Sequence, residues 1–254
     1  MPRRFIAAFG FVAIIALLIA LLAYTALLNP KASASPKELN VISRTGGDVV
    51  LTAEIIDNEI KIRLKNHHKD TITAFAISFA DLKIKEDFAY SDVNFGIEPG
   101  GIFERDYPVS PAPIGSEPPP LYLLTVLLKD RTNDGDSKEA QEIKDERLGE
   151  KIQILRTLKI LDREGQSRKD LKTTKSEIVA SLDSGEAETR VTLNELEPAA
   201  RITNKLSNAL TTGLQVGRDK MLRRFEVVEQ LLPQHREQGF MELQERLNKL
   251  SAKL

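Results

Sequence analysis

The chain has 254 residues, with 36 Lys+Arg against 37 Asp+Glu and a formal net charge of −1. It contains no Cys and no Trp, which excludes disulfides, Cys-ligated metals, iron–sulfur clusters and a thiol nucleophile. The near-neutral balance argues against nucleic acid as a partner, because dedicated binders carry a basic excess. A composition of 41% hydrophobic and 29% charged residues belongs to a folding chain.

Arg3 and Arg4 precede a run without charge, residues 5–28 (FIAAFGFVAIIALLIALLAYTALL). As a helix rising about 1.5 Å per residue it would reach roughly 36 Å, enough to cross a hydrocarbon core of about 30 Å. The run reads as a transmembrane anchor, and it is longer than the hydrophobic part of an ordinary signal peptide. Residues 1–4 would form a cytoplasmic tip. The positive flank then places everything beyond residue 28 on the exported side of the membrane. Ala32-Ser33-Ala34 has the small-x-small form of a cleavage site, so secretion after cleavage near Ala34 is the alternative. Residues 29–38 read as a linker.

Residues 39–130 change period. Ile60, Ile62 and Leu64 alternate with Glu59, Lys61, Arg63 and Lys65, and Val49, Leu51, Ala53 and Ile55 do the same around Thr52 and Glu54. Such alternation describes strands with one buried and one wet face. Asp57-Asn58 between them suits a tight hairpin. Phe75, Ile77 and Phe79 oppose Ala74, Ala76 and Ser78 on a further strand, and Val93, Phe95 and Ile97 suggest another before the Glu98-Pro99-Gly100-Gly101 turn. Residues 102–107 leave that turn as a return strand. Residues 121–128 (LYLLTVLL) are apolar on both faces and read as a central strand. Six prolines in residues 108–120 force extended backbone, either a stiff crossover between sheets or a polyproline ligand.

In its strands IKIRLKN and TITAFAISF and its turn IEPGGIF, this stretch resembles the immunoglobulin-like modules of exported bacterial proteins. It departs from antibody-type domains in having neither their Cys pair nor their Trp. The resemblance implies an antiparallel β-sandwich serving adhesion, docking or scaffolding.

Residues 131–254 form a charged helical region, a bundle or coiled-coil-like. Asp136 or Ser137 can cap a helix whose apolar stripe runs through Ala140, Ile143, Leu148, Ile152, Leu155 and Leu158, with Gly165 at its end. Leu171, Ile178 and Leu182 mark a shorter helix ended by Ser184-Gly185. From Pro198, helical spacing through Ile202, Leu206, Leu210, Gly213, Gly217, Met221, Phe225, Val228 and Leu232 continues to Pro233. Gly213 and Gly217 mark either a close helix crossing or a break. Arg218, Lys220, Arg223 and Arg224 form a basic cluster, either a solvated face or a contact for an anionic partner. Phe240, Leu243, Leu247, Leu250 and Leu254 repeat as a heptad seam, a surface for a protein partner or self-association, or for packing within the chain.

Chemistry is sparse. Asp130, Asp134 and Asp136 alternate around Gly135 in the manner of a Ca²⁺-wrapping turn, although Thr132 and Gln141 stand where that pattern prefers Asp or Asn and Glu. The competing reading is a polar loop and helix cap. His67 and His68 are adjacent and point apart on extended backbone, and His235 is remote. No Gly-x-Ser-x-Gly elbow or phosphate-binding loop occurs. The expected protein is therefore α+β: a membrane anchor, an immunoglobulin-like sandwich and a helical region. It would act as a non-enzymatic interaction or scaffold module of the cell envelope. A calcium-binding exported module is the alternative.

Overall fold

The computed structural model of the chain describes residues 35–89, 96–110, 117–164, 171–196 and 206–253. Strands β3 (Val49–Ile56) and β4 (Glu59–Asn66) form an antiparallel hairpin in which Leu51 faces Leu64 and Ala53 faces Ile62. Asp57 and Asn58 both take positive φ, 47° and 67°. That is the two-residue turn whose twist matches the flanking strands. Leu51, Ala53, Ile60, Ile62 and Leu64 turn inward and are buried. The outward row holds charges, with Arg63 paired to Glu104 at 3.3 Å.

Two sheets result. One has the order β1 (Lys37–Glu38), β3, β4, β7 (Ile102–Pro108). The other runs β2 (Val41–Ser43), β8 (Leu121–Leu128), β5 (Ile72–Phe79), β6 (Leu82–Asp87), with β9 (Asn133–Gly135) also on β8. Phe75, Ile77, Leu121, Leu123 and Val126 of the second sheet meet Leu51, Ile60, Ile62 and Leu64 of the first in one core. The first strand segment switches sheets at Leu39, whose buried side chain enters that core while its N–H donates to Ala53 O at 2.9 Å. β2 then pairs with β8 in parallel, so the expectation of a wholly antiparallel sandwich is corrected. The expected linker likewise ends in strand β1, and β9 extends the sheet beyond residue 130. Val93 and Phe95 lie outside the described residues, and Ile97 makes only an isolated bridge to Ile72. The proline-rich segment joins β7 of one sheet to β8 of the other, as a crossover does, with residues 111–116 outside the described part.

Helix α1 (Ser137–Glu164) explains why β8 is apolar on both faces. A register shift beside Leu124 changes the strand's phase. Leu121, Leu123, Val126 and Leu128 thereby face the sandwich core, while Leu124 and Leu127 face outward. Ala140 and Ile143 of α1 close over that outer face, on Ala74 and Ala76. Small residues at these two positions let the helix lie close to the sheet. Lys83 and Lys85 on β6 pair with Glu139, Glu142 and Glu146 along the helix, at 2.5 to 3.4 Å.

Beyond the sheet, α1 becomes the central column of a bundle with α2 (Leu171–Leu182), α3 (Glu186–Leu196), α4 (Asn208–Glu229) and α5 (Arg236–Lys253). A single 3-10 turn at Pro233–His235 reverses the chain before α5. Ser207 caps α4, accepting from Leu210 N at 3.1 Å and donating to Asp145 at 2.6 Å. Ile154, Leu158 and Leu161 of α1 pack with Ile178 and Leu182 of α2, Met221 and Phe225 of α4, and Leu243, Leu247 and Leu250 of α5. Pro198 and Ile202 lie outside the described residues.

Two expectations change here. The transmembrane part of the fold, and with it the membrane-anchored, exported placement, is corrected: among the described residues no helix is long and apolar enough to cross a membrane. α1 has the length but carries charge on nearly every turn. The run 5–28 and the small residues ending at Ala34 lie outside the described residues. The heptad seam of Phe240, Leu243, Leu247 and Leu250 is corrected as a partner surface. Leu243, Leu247 and Leu250 are buried inside this chain, and Phe240 packs on Phe225 at 5.6 Å between ring centroids.

Candidate functional site: a basic cleft between sheet and helices

Where the end of the second sheet meets the bundle, a cleft of about 650 Å³ opens. Its sides come from separate elements: Thr71 and Thr73 at the start of β5, Lys129 and Arg131 after β8, Lys144 and Arg147 on α1, and Lys253 in the last turn of α5. Leu127, Leu128 and Leu148 supply apolar wall. Five cationic side chains thus face one carboxylate, Glu98.

Each cation is held differently. Arg147 forks onto Asp87, with 2.8 Å from Nε and from Nη2, and Nη2 also donates to Thr73 O at 2.9 Å. This planar, two-pronged geometry fastens α1 to β5 and β6. Glu98 accepts from the Thr71 hydroxyl at 2.8 Å. Arg131 sits at φ 69°, a left-handed conformation that costs a side chain about 1 kcal/mol or more. The three-residue β8–β9 turn needs that conformation at its last position, where Gly is usual. Among the described residues, Lys129 and Lys144 have no ion-pair partner for their ammonium groups.

The opposite flank of α1 is acidic. Glu139, Glu142, Glu146 and Glu150 follow one stripe, while Lys144, Arg147 and Lys151 follow another. Beyond β6 the acidic stripe meets α4 in a second, smaller cavity of about 280 Å³, lined by Glu86, Asp87, Glu146, Glu150 and Lys220 among others. Glu150 is buried and pairs with Lys220 at 2.6 Å. Burial, opposed by the Lys220 ammonium and reinforced by Asp87 and Glu146, pushes its carboxyl up to about 7. Burial lowers Arg224, against the attraction of Glu150, and Arg224 Nη1 is enclosed without a hydrogen-bond partner among the described residues. The expected basic cluster is thereby divided. Lys220 and Arg224 turn to Glu150 and Arg218 pairs with Asp183 at 2.6 Å, so only Arg223 keeps the character of a solvated face.

The three aspartates singled out for calcium do not converge. Asp130 accepts from Thr132, 2.8 Å to N and 2.5 Å to the hydroxyl, which holds its carboxyl below the usual range. Both oxygens of Asp134 accept from Gly46 N, at 2.9 and 2.8 Å. Asp136 caps α1 through Lys138 N and Glu139 N at 2.9 and 3.2 Å and pairs with Arg44 at 3.1 Å. Among the described residues no group of three or more acids and histidines is placed to hold a metal ion. His68 Nδ1 accepts from Asp70 N at 3.1 Å inside its own turn.

The basic cleft lay outside the expectations. Its residues come from stretches far apart in the chain, and only the segregation of charge along α1 was there to be read in the sequence. Comparison with protein-family models, with curated proteins and with solved structures finds no match for this chain.

Proposed function

We propose that the protein is a non-enzymatic interaction module that receives an anionic group of its partner in the basic cleft. The observation that carries this reading is the convergence of Lys129, Arg131, Lys144, Arg147 and Lys253 on one concavity against the single acid Glu98. Cations gathered in a cleft with low-dielectric walls focus their field and raise the local concentration of anions. The cleft's volume lies within the range of ligand sites rather than of packing defects. The groups around it serve as positioning and charge, not as a nucleophile with its base: Arg147 is fastened to Asp87, and Glu98 accepts from Thr71.

The test is a calorimetric titration of the full chain with acetate, octanoate and pyrophosphate, repeated on the double variant Lys129→Glu/Lys144→Glu. Saturable binding of an anion by the natural protein and its loss in the variant support the reading. Absence of saturable binding by every anion overturns it.

A further inference from the structure

The balance of charge and apolar wall in the cleft, taken with the reading above on which this inference rests, specifies the anion more narrowly. We infer that the cleft is built for a single carboxylate carried on an apolar stem, with Lys129 and Lys144 holding the carboxylate and Leu127, Leu128 and Leu148 flanking the stem.

Three observations lead there. The first is charge. Arg147 is satisfied by both oxygens of Asp87, and Glu98 subtracts from what remains. Lys129 and Lys144 are then the ammonium groups without an ion-pair partner among the described residues. Two ammonium groups opposed by Glu98 suit one negative charge rather than the three or four of a polyphosphate. The second is the helix end at the site. α5 closes its last turn at the cleft, with Ala252 and Lys253 on the lining. A helix C-terminus presents carbonyl oxygens and a negative partial charge. Phosphate sites are more often made by the opposite, N-terminal end, where N–H groups point outward. A multiply charged ligand would meet those carbonyls, whereas a monoanion held at the Lys129 and Lys144 side need not.

The third is size and surface. A cleft of about 650 Å³ is far larger than a bare carboxylate or phosphate needs. Its walls include Leu127, Leu128, Leu148, Ala89, Ala252 and the methyl groups of Thr71 and Thr73. Apolar wall contributes to binding only if apolar ligand surface covers it, at about 25 cal/mol per Å² removed from water. The same chemistry occurs in a short fatty acid and in the free C-terminus of a peptide with an apolar last residue. Both present one carboxylate on a hydrophobic stem.

Neither lysine holds the fold through an ion pair, so their removal leaves a folded protein in which to measure the loss. The experiment uses the full chain, Lys129→Gln/Lys144→Gln, and thermal unfolding with calorimetry. The probes are octanoate below its micelle concentration, octanol, acetate, pyrophosphate, and a hexapeptide ending in Leu as free acid or as amide. Octanoate or the free-acid peptide is expected to bind and raise the melting temperature, with octanol and the amide at least about tenfold weaker. The double variant should lose that preference while melting as the natural protein does without probe. If octanoate alone binds, the ligand is a small amphiphile; if the peptide alone binds, it is a protein C-terminus. Either outcome supports the inference. Pyrophosphate binding more tightly than both overturns the monocarboxylate while leaving an anion-binding cleft. Failure of every anionic probe overturns the cleft itself.

Discussion

Gly213 on α4 lies so close to Glu146 on α1 that a Cβ at Gly213 would stand 2.1 Å from the Glu146 carbonyl oxygen. Gly149 faces the other way across the same crossing, where a Cβ would meet Leu210 O and Leu214 N at 2.5 Å. Backbone against backbone leaves nothing flexible to yield. Gly213→Ala therefore must separate the helices, and it is expected to destabilise the fold by about 3 kcal/mol, at the upper end of overpacking costs. Gly185→Ala, with nothing within 4 Å of its Cβ position, serves as control and should change stability little. Urea unfolding of the two variants checks both, and equal midpoints would contradict the close crossing.

Glu150 gives the protein a stability that falls as pH rises. Its folded carboxyl titrates near 7, whereas an unfolded Glu titrates at about 4.3. The folded state thus holds the proton more tightly. That contribution is complete below about pH 4.3, declines as pH rises towards 7, and is absent above. The groups facing it are Lys220 and Arg224 from α4, Asp87 from β6 and Glu146 from α1. Glu150→Gln imitates the protonated form, so the variant should gain on the natural protein between about pH 4.5 and 7, by up to about 3 kcal/mol. Denaturant unfolding across that pH range reads the difference, and parallel curves would refute it.

Asp136 is engaged as the cap of α1 and as the partner of Arg44. The N–H groups of Glu139 and Lys138 and the Arg44 guanidinium hold its carboxyl below the usual range. Asp136→Ala should lower the melting temperature, and Asp136→Asn, which keeps an accepting oxygen, should lower it less. With Asp130 and Asp134 committed elsewhere, millimolar Ca²⁺ should leave the melting temperature of the natural protein where it is. A calcium-dependent rise would restore the metal reading of this loop.

Leu247 is fully enclosed by α1 and α4. Leu247→Ala is expected to cost about 2–5 kcal/mol of stability, as other buried Leu truncations do. The oligomeric state, read by light scattering, should not change, because the seam packs within one chain. Met241→Ala, 59% exposed on the same helix, should do neither.

How much of this was readable from the residues varied with the kind of signal. Ile60, Ile62 and Leu64 announce a strand with one buried face because a period of two fits a pleated backbone and no helix. Asp57-Asn58 announces its turn because both residues tolerate positive φ. Asp136 and Ser207 behave as caps, though only the first was anticipated. β6 escaped notice, since Leu82, Lys83 and Ile84 make too short an alternation, and its lysines are retained for α1 rather than for water. α3 escaped because its buried residues, Thr189 and Leu193, leave almost no apolar stripe. Gly213 and Gly217 left a crossing and a break equally open, and the missing clue was Gly149, which supplies the other half of the contact. The cleft was invisible for a further reason: Lys129, Lys144 and Lys253 are ordinary surface lysines until the tertiary fold brings them to one place.

The same helix that shields the outer leaflet of one sheet also serves as the spine of the bundle. Scission of the polypeptide near residue 136 would leave Ala74, Ala76, Leu124 and Leu127 as a wetted apolar strip and would deprive α2, α4 and α5 of the column around which they assemble. Neither half is a detachable cassette. A fragment ending there should be sticky and protease-sensitive, and a swap that exchanges one half for a foreign counterpart must carry α1 along with it.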